Sequence, residues 1–233
     1  RVTASVAAAA RAAGVAVVAG DTKVVEKGKG DGIFLTTAGT GVVRAGHPRA
    51  DRPPRAGDAV LVSGPVGDHG AVILAARRGI GLESDLVSDC APVTPLVDAL
   101  FDAGVAPLFL RDPTRGGLAG VLADLAGEDA PEPAHGVEVE EASIPVRAAV
   151  QAIAEITGVD PLLLACEGRV VAVVEAGDVA RALAAWRALP GGAEAACCGS
   201  LTADHPGRVR LRTRYGGSRI VLRPTADPLP RIC

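Results

Sequence analysis

The sequence has few aromatic residues and no methionine: 2% of its 233 residues are Phe, Trp or Tyr. A core must therefore be aliphatic and built by close approach of small residues, which favours α/β layers. The five cysteines are an odd number without CxxC spacing, which argues against a disulfide framework and a zinc site. No apolar run approaches the roughly 20 residues that cross a bilayer, and no signal peptide is evident. We therefore expect a cytoplasmic protein with no membrane partner.

The net charge and the distribution of arginine also limit the classes of partner that the protein can bind. The net charge is -3 at pH 7 and 48% of residues are hydrophobic, enough to bury a sizeable core in one or two domains. One segment, RVRLRTRYGGSR at 208–219, alternates arginine with apolar residues. A nucleic-acid face remains an alternative there. A solvated or partner-facing sheet surface explains it better, because the chain is acidic and lacks aromatics for stacking.

Periodicity predicts an α+β organisation. Residues 1–15 read as a helix, and the short apolar runs VAVVAG and GIFLTTAGTGVV read as strands bounded by glycine. The Pro-rich stretch 47–58 is the expected domain boundary. Beyond it, AVLVSG reads as a strand, DHGAVILAARRG and PVTPLVDALFDAG as helices, APLFL as a strand and GGLAGVLADLAG as a helix. Residues 169–201 predict a strand, a helix capped by Asp178, and a strand. We expect a split α+β layer covered on one face of the sheet.

Two Gly-rich polar segments follow apolar strands. In AGDTKVVEKGKGDG, Asp21, Thr22 and Lys23 precede a Gly/Lys loop, which suits phosphate and Mg²⁺ but equally a solvated turn. In LRDPTRGGL, Asp112 ends a predicted strand, and residues 114–117 begin a predicted helix. Free amides and Arg115 at that N-terminus favour an anion. This second segment predicts a nucleotide-Mg²⁺ site, with a plain helix start as the alternative.

The remaining candidates are single side chains. Glu167 lies at the start of a predicted strand, where it is either a general base or simply exposed. Cys197 and Cys198 point to opposite faces of a strand, so we interpret them as apolar fillers. The histidines have no ligand spacing. Cys233 is the last residue, and a thiol in such a position gains reach rather than packing.

Taken in order, these motifs resemble one family across essentially the whole chain. The matching segments are AGDTKVV, GDHG, GLESD, RDPTRGGL, IPV, EGR, GGSRIV and LPRIC. They resemble the HypE family of hydrogenase maturation factors, the carbamoyl dehydratases of [NiFe]-hydrogenase assembly. The wider superfamily includes aminoimidazole ribonucleotide synthetase and selenophosphate synthetase. The resemblance implies a two-domain PurM-like fold: residues 1–50 from an incomplete N-terminal ATP-binding domain, 51–225 as a C-terminal α/β layered domain with a mixed sheet, and 226–233 as a mobile tail.

The resemblance also implies a reaction. The partner HypF loads a carbamoyl group onto the cysteine that matches Cys233, and ATP drives its dehydration to a thiocyanate. The cyanide then passes to an iron-holding HypC-HypD complex. By the same resemblance Glu167 is the general base, Lys23 the phosphate clamp and possible proton relay, and Asp112 with Asp21 the Mg²⁺ ligands. The implied nucleotide-binding positions are Asp21, Thr22, Thr114, Arg115, Gly116 and Gly117.

The chain departs from the family pattern in three ways. Cys166 stands where the family has an asparagine that could orient the amide, and Arg169 replaces a lysine. The family also carries further chain before the position of Arg1, with an Asp-rich segment and strands that form a homodimer, so we expect a fragment. A non-catalytic thiol-presenting module and another ATP-dependent synthetase, such as a selenophosphate-type enzyme, remain alternatives.

Overall fold

The structure, a computed structural model, describes residues 1–30, 32–42, 50–81 and 84–223. The chain divides into two compact units between residues 47 and 48. The expected tail, including Cys233, and the start of the expected linker, residues 47–49, lie outside the described residues. The boundaries expected from the sequence, 1–50, 51–225 and 226–233, stay a prediction.

The first unit has one helix and no strand among its described residues. Helix α1 spans Val2–Ala12 and buries none of its side chains. The two strands expected between residues 15 and 42 are wrong, because the described part of this unit shows neither. A strand requires a hydrogen-bonded neighbour, and an apolar run does not reveal whether one exists. The apolar side chains remain exposed there, 92% for Val18 and 93% for Val42.

The second unit contains every strand that the structure describes. The elements are, in chain order, β1 (Ala59–Val62), α2 (Asp68–Arg78), α3 (Thr94–Asp102), β2 (Phe109–Arg111), α4 (Gly117–Ala126), β3 (Gly136–Glu140), α5 (Ala148–Thr157), β4 (Val171–Val174), α6 (Val179–Arg187), β5 (Ala196–Thr202), β6 (Val209–Arg212) and β7 (Ser218–Val221). Short 3-10 turns occupy Glu141–Ser143, Pro161–Leu163 and Ala176–Asp178. The helices and strands expected between residues 59 and 127 and between 169 and 201 are confirmed in order and type.

One seven-stranded sheet organises this unit, in the order β2-β4-β1-β5-β3-β6-β7. All its pairings are antiparallel except β3 with β6. The mixed sheet expected from the resemblance is therefore confirmed. Strands distant in sequence lie side by side, which brings the chain after β2 close to the chain before β4.

Apolar clusters lie on both faces of the central strands. Val60 and Val173 point into a core shared with helix α4, whereas Leu61 and Ala172 point into a second core with α3 and α6. Every residue of β1 and β4 is buried as a result. The expectation of a sheet covered on one face is wrong, since the continuous apolar runs in these strands reflect cover on both sides.

Two polar details of the fold differ from expectation. Asp178 precedes α6 but makes no capping hydrogen bond; its carboxylate pairs with Arg181 instead. The end of the expected linker is anchored rather than free. Arg52 donates two hydrogen bonds to the buried carboxylate of Asp58, at 2.7 Å each, and the Gly57 amide donates to the sheet at Leu201 O.

Across the described ranges, no helix is both long and apolar enough to span a membrane.

Candidate functional site

The turn between β2 and α4 has the geometry of an anion site. Helix α4 begins at Gly117 after Gly116, which adopts a left-handed conformation at φ 76°, and no side chain caps the helix. The Gly117 amide donates to the Thr114 carbonyl oxygen at 3.0 Å, and no side chain caps the amides that follow, where the helix dipole favours negative charge. Thr114 is half-buried and Arg115 exposed beside these amides. The residues expected at this site are thus adjacent in space.

Gly117 allows this turn to pack against a second one. Its φ is 59°, and an added Cβ would lie 2.5 Å from the Leu162 carbonyl oxygen. The Cys166 amide also donates to the Pro113 carbonyl oxygen at 2.9 Å. The RDPTRGG turn and the EGR turn, which are distant in sequence, are therefore in direct contact.

The segment 84–91 fixes the backbone of the EGR turn. The Glu167 amide donates to Asp89 Oδ1 at 3.0 Å, and the Ala91 amide donates to the Glu167 carbonyl oxygen at 3.4 Å. Gly168 lies so close that an added Cβ would be 1.9 Å from the Asp89 carbonyl oxygen. Glu167 itself is half-buried. Asp89 was not among the residues predicted for the site, although the segment GLESD at 81–85 contributed to the resemblance.

The start of helix α2 packs against the residues that precede the EGR turn. The Gly67 amide donates to the Cys166 sulfur at 3.2 Å, and the Gly70 amide donates to the Ala165 carbonyl oxygen at 2.9 Å. An added Cβ at Gly70 would lie 2.7 Å from the Ala165 amide nitrogen. The glycines of GDHG therefore permit the close approach of α2 to the EGR turn.

Cys166 is a packing residue at the centre of this junction. Its side chain is fully buried, and burial raises the pKa of its thiol well above the usual value. Its sulfur faces the start of α2, so a side chain here does not orient a substrate amide in the open site. Cys198 is equally buried, and burial raises the pKa of its thiol to about 12. Both thiols stay protonated at neutral pH and are poor nucleophiles.

Arg169 anchors the other end of the EGR turn. Its guanidinium donates to the Pro65 carbonyl oxygen at 3.1 Å and to the Gly191 carbonyl oxygen at 2.8 Å. It also lies 3.5 Å from Asp89 and 3.9 Å from Asp68. Burial raises the pKa of the Asp68 carboxyl despite a hydrogen bond from Arg147 that lowers it. Arginine suits this position because its planar fork reaches several acceptors at once.

A cavity of about 340 Å³ opens at the RDPTRGG turn. Asp112, Thr114 and Arg115 line it, together with Asp124 and Arg223. Asp124 accepts hydrogen bonds from Arg111 and Arg223. Arg223 is the last described residue, so the segment that carries Cys233 begins at the edge of this cavity.

The other expected site residues belong to the first unit. Asp21, Thr22 and Lys23 are exposed, and the Thr22 amide donates to Asp21 Oδ1 at 2.8 Å. Their roles in phosphate and metal binding stay predictions.

The arginine-rich strand is neutralised within the sheet. Arg210 on β6 lies 2.7 Å from Glu138 on β3, and Arg212 lies 3.3 Å from Glu140. Hydrogen bonds from Arg210 lower the pKa of the Glu138 carboxyl. These cross-strand pairs account for Arg210 and Arg212, the two arginines on β6. Cys197 and Cys198 face opposite sides of β5, as expected, against the two different cores.

Comparison with known proteins identifies the family. Residues 55–212 match the family described as AIR synthase related protein, C-terminal domain. The carbamoyl dehydratase HypE of Azotobacter vinelandii is 47% identical over 233 residues, which cover all of this chain and 67% of that relative. The chain belongs to the carbamoyl dehydratase HypE family. It spans about two thirds of the length of such relatives, and this family membership confirms the resemblance inferred from the motifs.

Solved structures of HypE proteins have the same fold. The crystal structure of Escherichia coli HypE, a hydrogenase maturation protein, has a TM-score of 0.86 and 39% identity, covering all of this chain and 70% of that one. A HypE structure in complex with ATP has a TM-score of 0.82 and 37% identity, covering 98% and 69%. A HypE-HypF complex has a TM-score of 0.81 and 36% identity, covering 96% and 71%.

Proposed function

We propose that the protein is an ATP-dependent carbamoyl dehydratase that converts an S-carboxamide on Cys233 into a thiocyanate. The cyanide formed would supply ligands for the iron of a [NiFe]-hydrogenase. Family membership supports the carbamoyl dehydratase activity, and the HypE-ATP structure supports ATP as the nucleotide. The observation that carries the proposal is the contact between the RDPTRGG and EGR turns, where the Cys166 amide binds the Pro113 carbonyl oxygen. An anion site and a carboxylate therefore lie in one neighbourhood.

The reaction requires both features. The carboxamide oxygen is a poor leaving group until it attacks the γ-phosphorus of ATP, forming a C–O–P linkage and releasing ADP. A base then removes one N–H proton. Loss of the second N–H proton accompanies cleavage of the C–O bond, so that a C≡N triple bond forms and phosphate departs with the carboxamide oxygen. The products are the thiocyanate, ADP and phosphate.

The start of α4 would bind the phosphates. Its uncapped amides, with Thr114 and Arg115, would stabilise the negative charge that accumulates on the transferred group. Among the described residues, no three His, Cys, Asp or Glu side chains form a metal cluster. The Asp112 carboxylate lines the cavity at the RDPTRGG turn, and a single carboxylate fits Mg²⁺ in its usual nucleotide mode, in which one or two carboxylates bind and phosphates and waters complete the shell. Asp112 would be one such ligand, and a bound Mg²⁺ would neutralise phosphate charge.

Glu167 would remove the N–H protons. Its backbone is held from both sides by segment 84–91, so its carboxylate has a defined starting point beside the phosphate turn. General bases act through such defined geometry. Lys23 is proposed as the phosphate clamp and Asp21 as a second metal ligand.

Cys233 would carry the reacting group between proteins. The HypE-HypF structure supports HypF as the carbamoyl donor, and a HypC-HypD complex is the proposed cyanide acceptor. A homodimer and a cytoplasmic location are part of the same proposal. The two prolines in 228–230 favour an extended carrier and reduce the entropy lost at each partner.

The Glu167→Gln variant tests this assignment. It should accept the carbamoyl group on Cys233 but retain the carboxamide when ATP is added, because the amide keeps the shape of the side chain and loses its basicity. Glu155→Gln on the exposed face of α5 is the matched control and should dehydrate normally. Intact-mass spectrometry follows both. Thiocyanate formation at the normal rate in Glu167→Gln would remove Glu167 as the base. A thiol-presenting module would leave every variant, and the parent protein, as the carboxamide.

A further inference from the structure

A second cavity borders the EGR turn at Arg169, and no proposed step uses it. It has a volume of about 470 Å³ and lies between segment 85–89 and the starts of α2 and α5. The charged residues that line it are Asp68, Asp85, Asp89, Arg147 and Arg169. Three carboxylates thus face two guanidinium groups, and the cavity lining has one excess negative charge.

Two carboxylate oxygens in this cavity have no hydrogen-bond donor among the described residues. They are Asp68 Oδ1 and Asp89 Oδ2, on side chains only 4% and 1% exposed. Arg147 donates to the other oxygen of Asp68 at 3.0 Å. Arg169 directs its hydrogen bonds to backbone carbonyl groups, and its Nε lies 3.5 Å from Asp89 Oδ2 as an ion pair without a hydrogen bond. A buried acceptor without a donor is costly, so the cavity suits a ligand with several N–H donors.

We propose that the guanidinium group of Arg231, in the C-terminal segment 224–233, docks in this cavity and donates to Asp68 Oδ1 and Asp89 Oδ2. A guanidinium carries five donors in a fixed fork and a positive charge that neutralises the excess negative charge. Its catalytic consequence rests on the proposed function, since docking would position Cys233 for dehydration.

The segment begins after Arg223, which lines the cavity at the RDPTRGG turn. From Arg223, the eight residues to Arg231 span at most about 26–29 Å. Two hydrogen bonds connect that turn to the second cavity, one from the Cys166 amide to Pro113 and one from the Glu167 amide to Asp89. Cys233 follows Arg231 by two residues, a separation of at most about 7 Å. Docking of Arg231 would therefore place the thiol near Glu167.

Alkylation of Cys233 tests the docking without requiring catalysis. The probe is iodoacetamide, the rate at Cys233 is read from peptide masses, and the rate in denaturant gives the unprotected value. Arg231→Gln should raise the native rate at least about 10-fold, because a charged hydrogen-bonded contact is lost. Asp68→Asn should raise it comparably. The double variant should be no faster than the faster single one, since both changes remove the same contact.

Two controls separate docking from a general charge effect. Arg208→Gln removes the same charge from an exposed turn and should leave the alkylation rate unchanged. Arg231→Lys keeps the charge but loses the fork, so it should retain part of the protection.

Additive effects of Arg231→Gln and Asp68→Asn, or an unchanged alkylation rate in Arg231→Gln, would overturn the docking and leave water as the occupant. The ATP-driven step is measured in parallel. Non-additive protection without any thiocyanate formation would support the docking and reject the proposed function. Thiocyanate formation at the parent rate in Arg231→Gln would reject the role of the docking in positioning Cys233 and leave the proposed function intact.

Discussion

The contact between Gly168 and segment 84–91 yields a quantitative prediction. In the Gly168→Ala variant, the new Cβ would lie 1.9 Å from the Asp89 carbonyl oxygen. An ordinary contact begins at 3.4 Å, so the EGR turn and the segment must separate by about 1.5 Å, the difference between these two distances. Because the obstacle is backbone rather than a flexible side chain, the displacement falls on the Glu167 backbone.

The expected losses follow from that displacement. A misplacement of about 1 Å can cost about 10²-fold in rate, so ATP-driven dehydration by Gly168→Ala should fall at least about 100-fold. Overpacking costs about 1–3 kcal/mol, which corresponds to a fall in Tm of roughly 2–12 °C for a protein of this size. Nucleotide affinity should change little, because the RDPTRGG turn keeps its own contacts.

The assay compares Gly168→Ala with Gly177→Ala. The control position has no atom within 4 Å of an added Cβ and should behave like the parent protein. Conversion of the carbamoylated protein is followed by mass, Tm by calorimetry and ATP binding by titration. A Gly168→Ala variant that dehydrates at the parent rate would refute the claim that segment 84–91 positions Glu167.

Three further predictions concern other positions. Burial tends to raise the pKa of the Asp58 carboxyl, but hydrogen bonds from Arg52 and a backbone amide hold it below its usual 3.8. Asp58→Asn should therefore cost about 1.5–3 kcal/mol in urea unfolding at pH 7. This difference should begin to decrease as the pH falls below 3.8 and should vanish below the lower pKa of the folded state. Gly117→Ala should weaken ATP binding in titration calorimetry, since its Cβ meets Leu162. Cys166→Ala should still be carbamoylated by intact mass, because its buried thiol is not a carrier.

Local sequence patterns predicted most of the second unit. The helical spacing of apolar residues in α4 and the glycine that follows the helix predict α4. The valine-rich run 170–174 predicts β4. The strands expected near Val18 and Val42 were wrong, because strand formation depends on a neighbour that no local pattern reveals. The cover on both faces of β1 was missed for a similar reason: it depends on helices from distant parts of the chain.

The sequence predicted the separate motifs of the candidate site but not the contacts between them. The RDPTRGG and EGR motifs were identified separately, and their contact through Pro113 and Cys166 arises only from the order of strands in the sheet. Asp89 was missed because it lies 78 positions before its hydrogen-bond partner Glu167. Nothing in the sequence around Asp89 distinguishes it from an exposed aspartate.

The intact mass of the carbamoylated protein after addition of ATP and Mg²⁺ tests the central claim most directly. The proposed function predicts that the mass decreases by one water, that peptide analysis places the change at Cys233, and that one ATP is consumed for each water lost. Persistence of the carboxamide under these conditions, or a thiocyanate on any other cysteine, would contradict it.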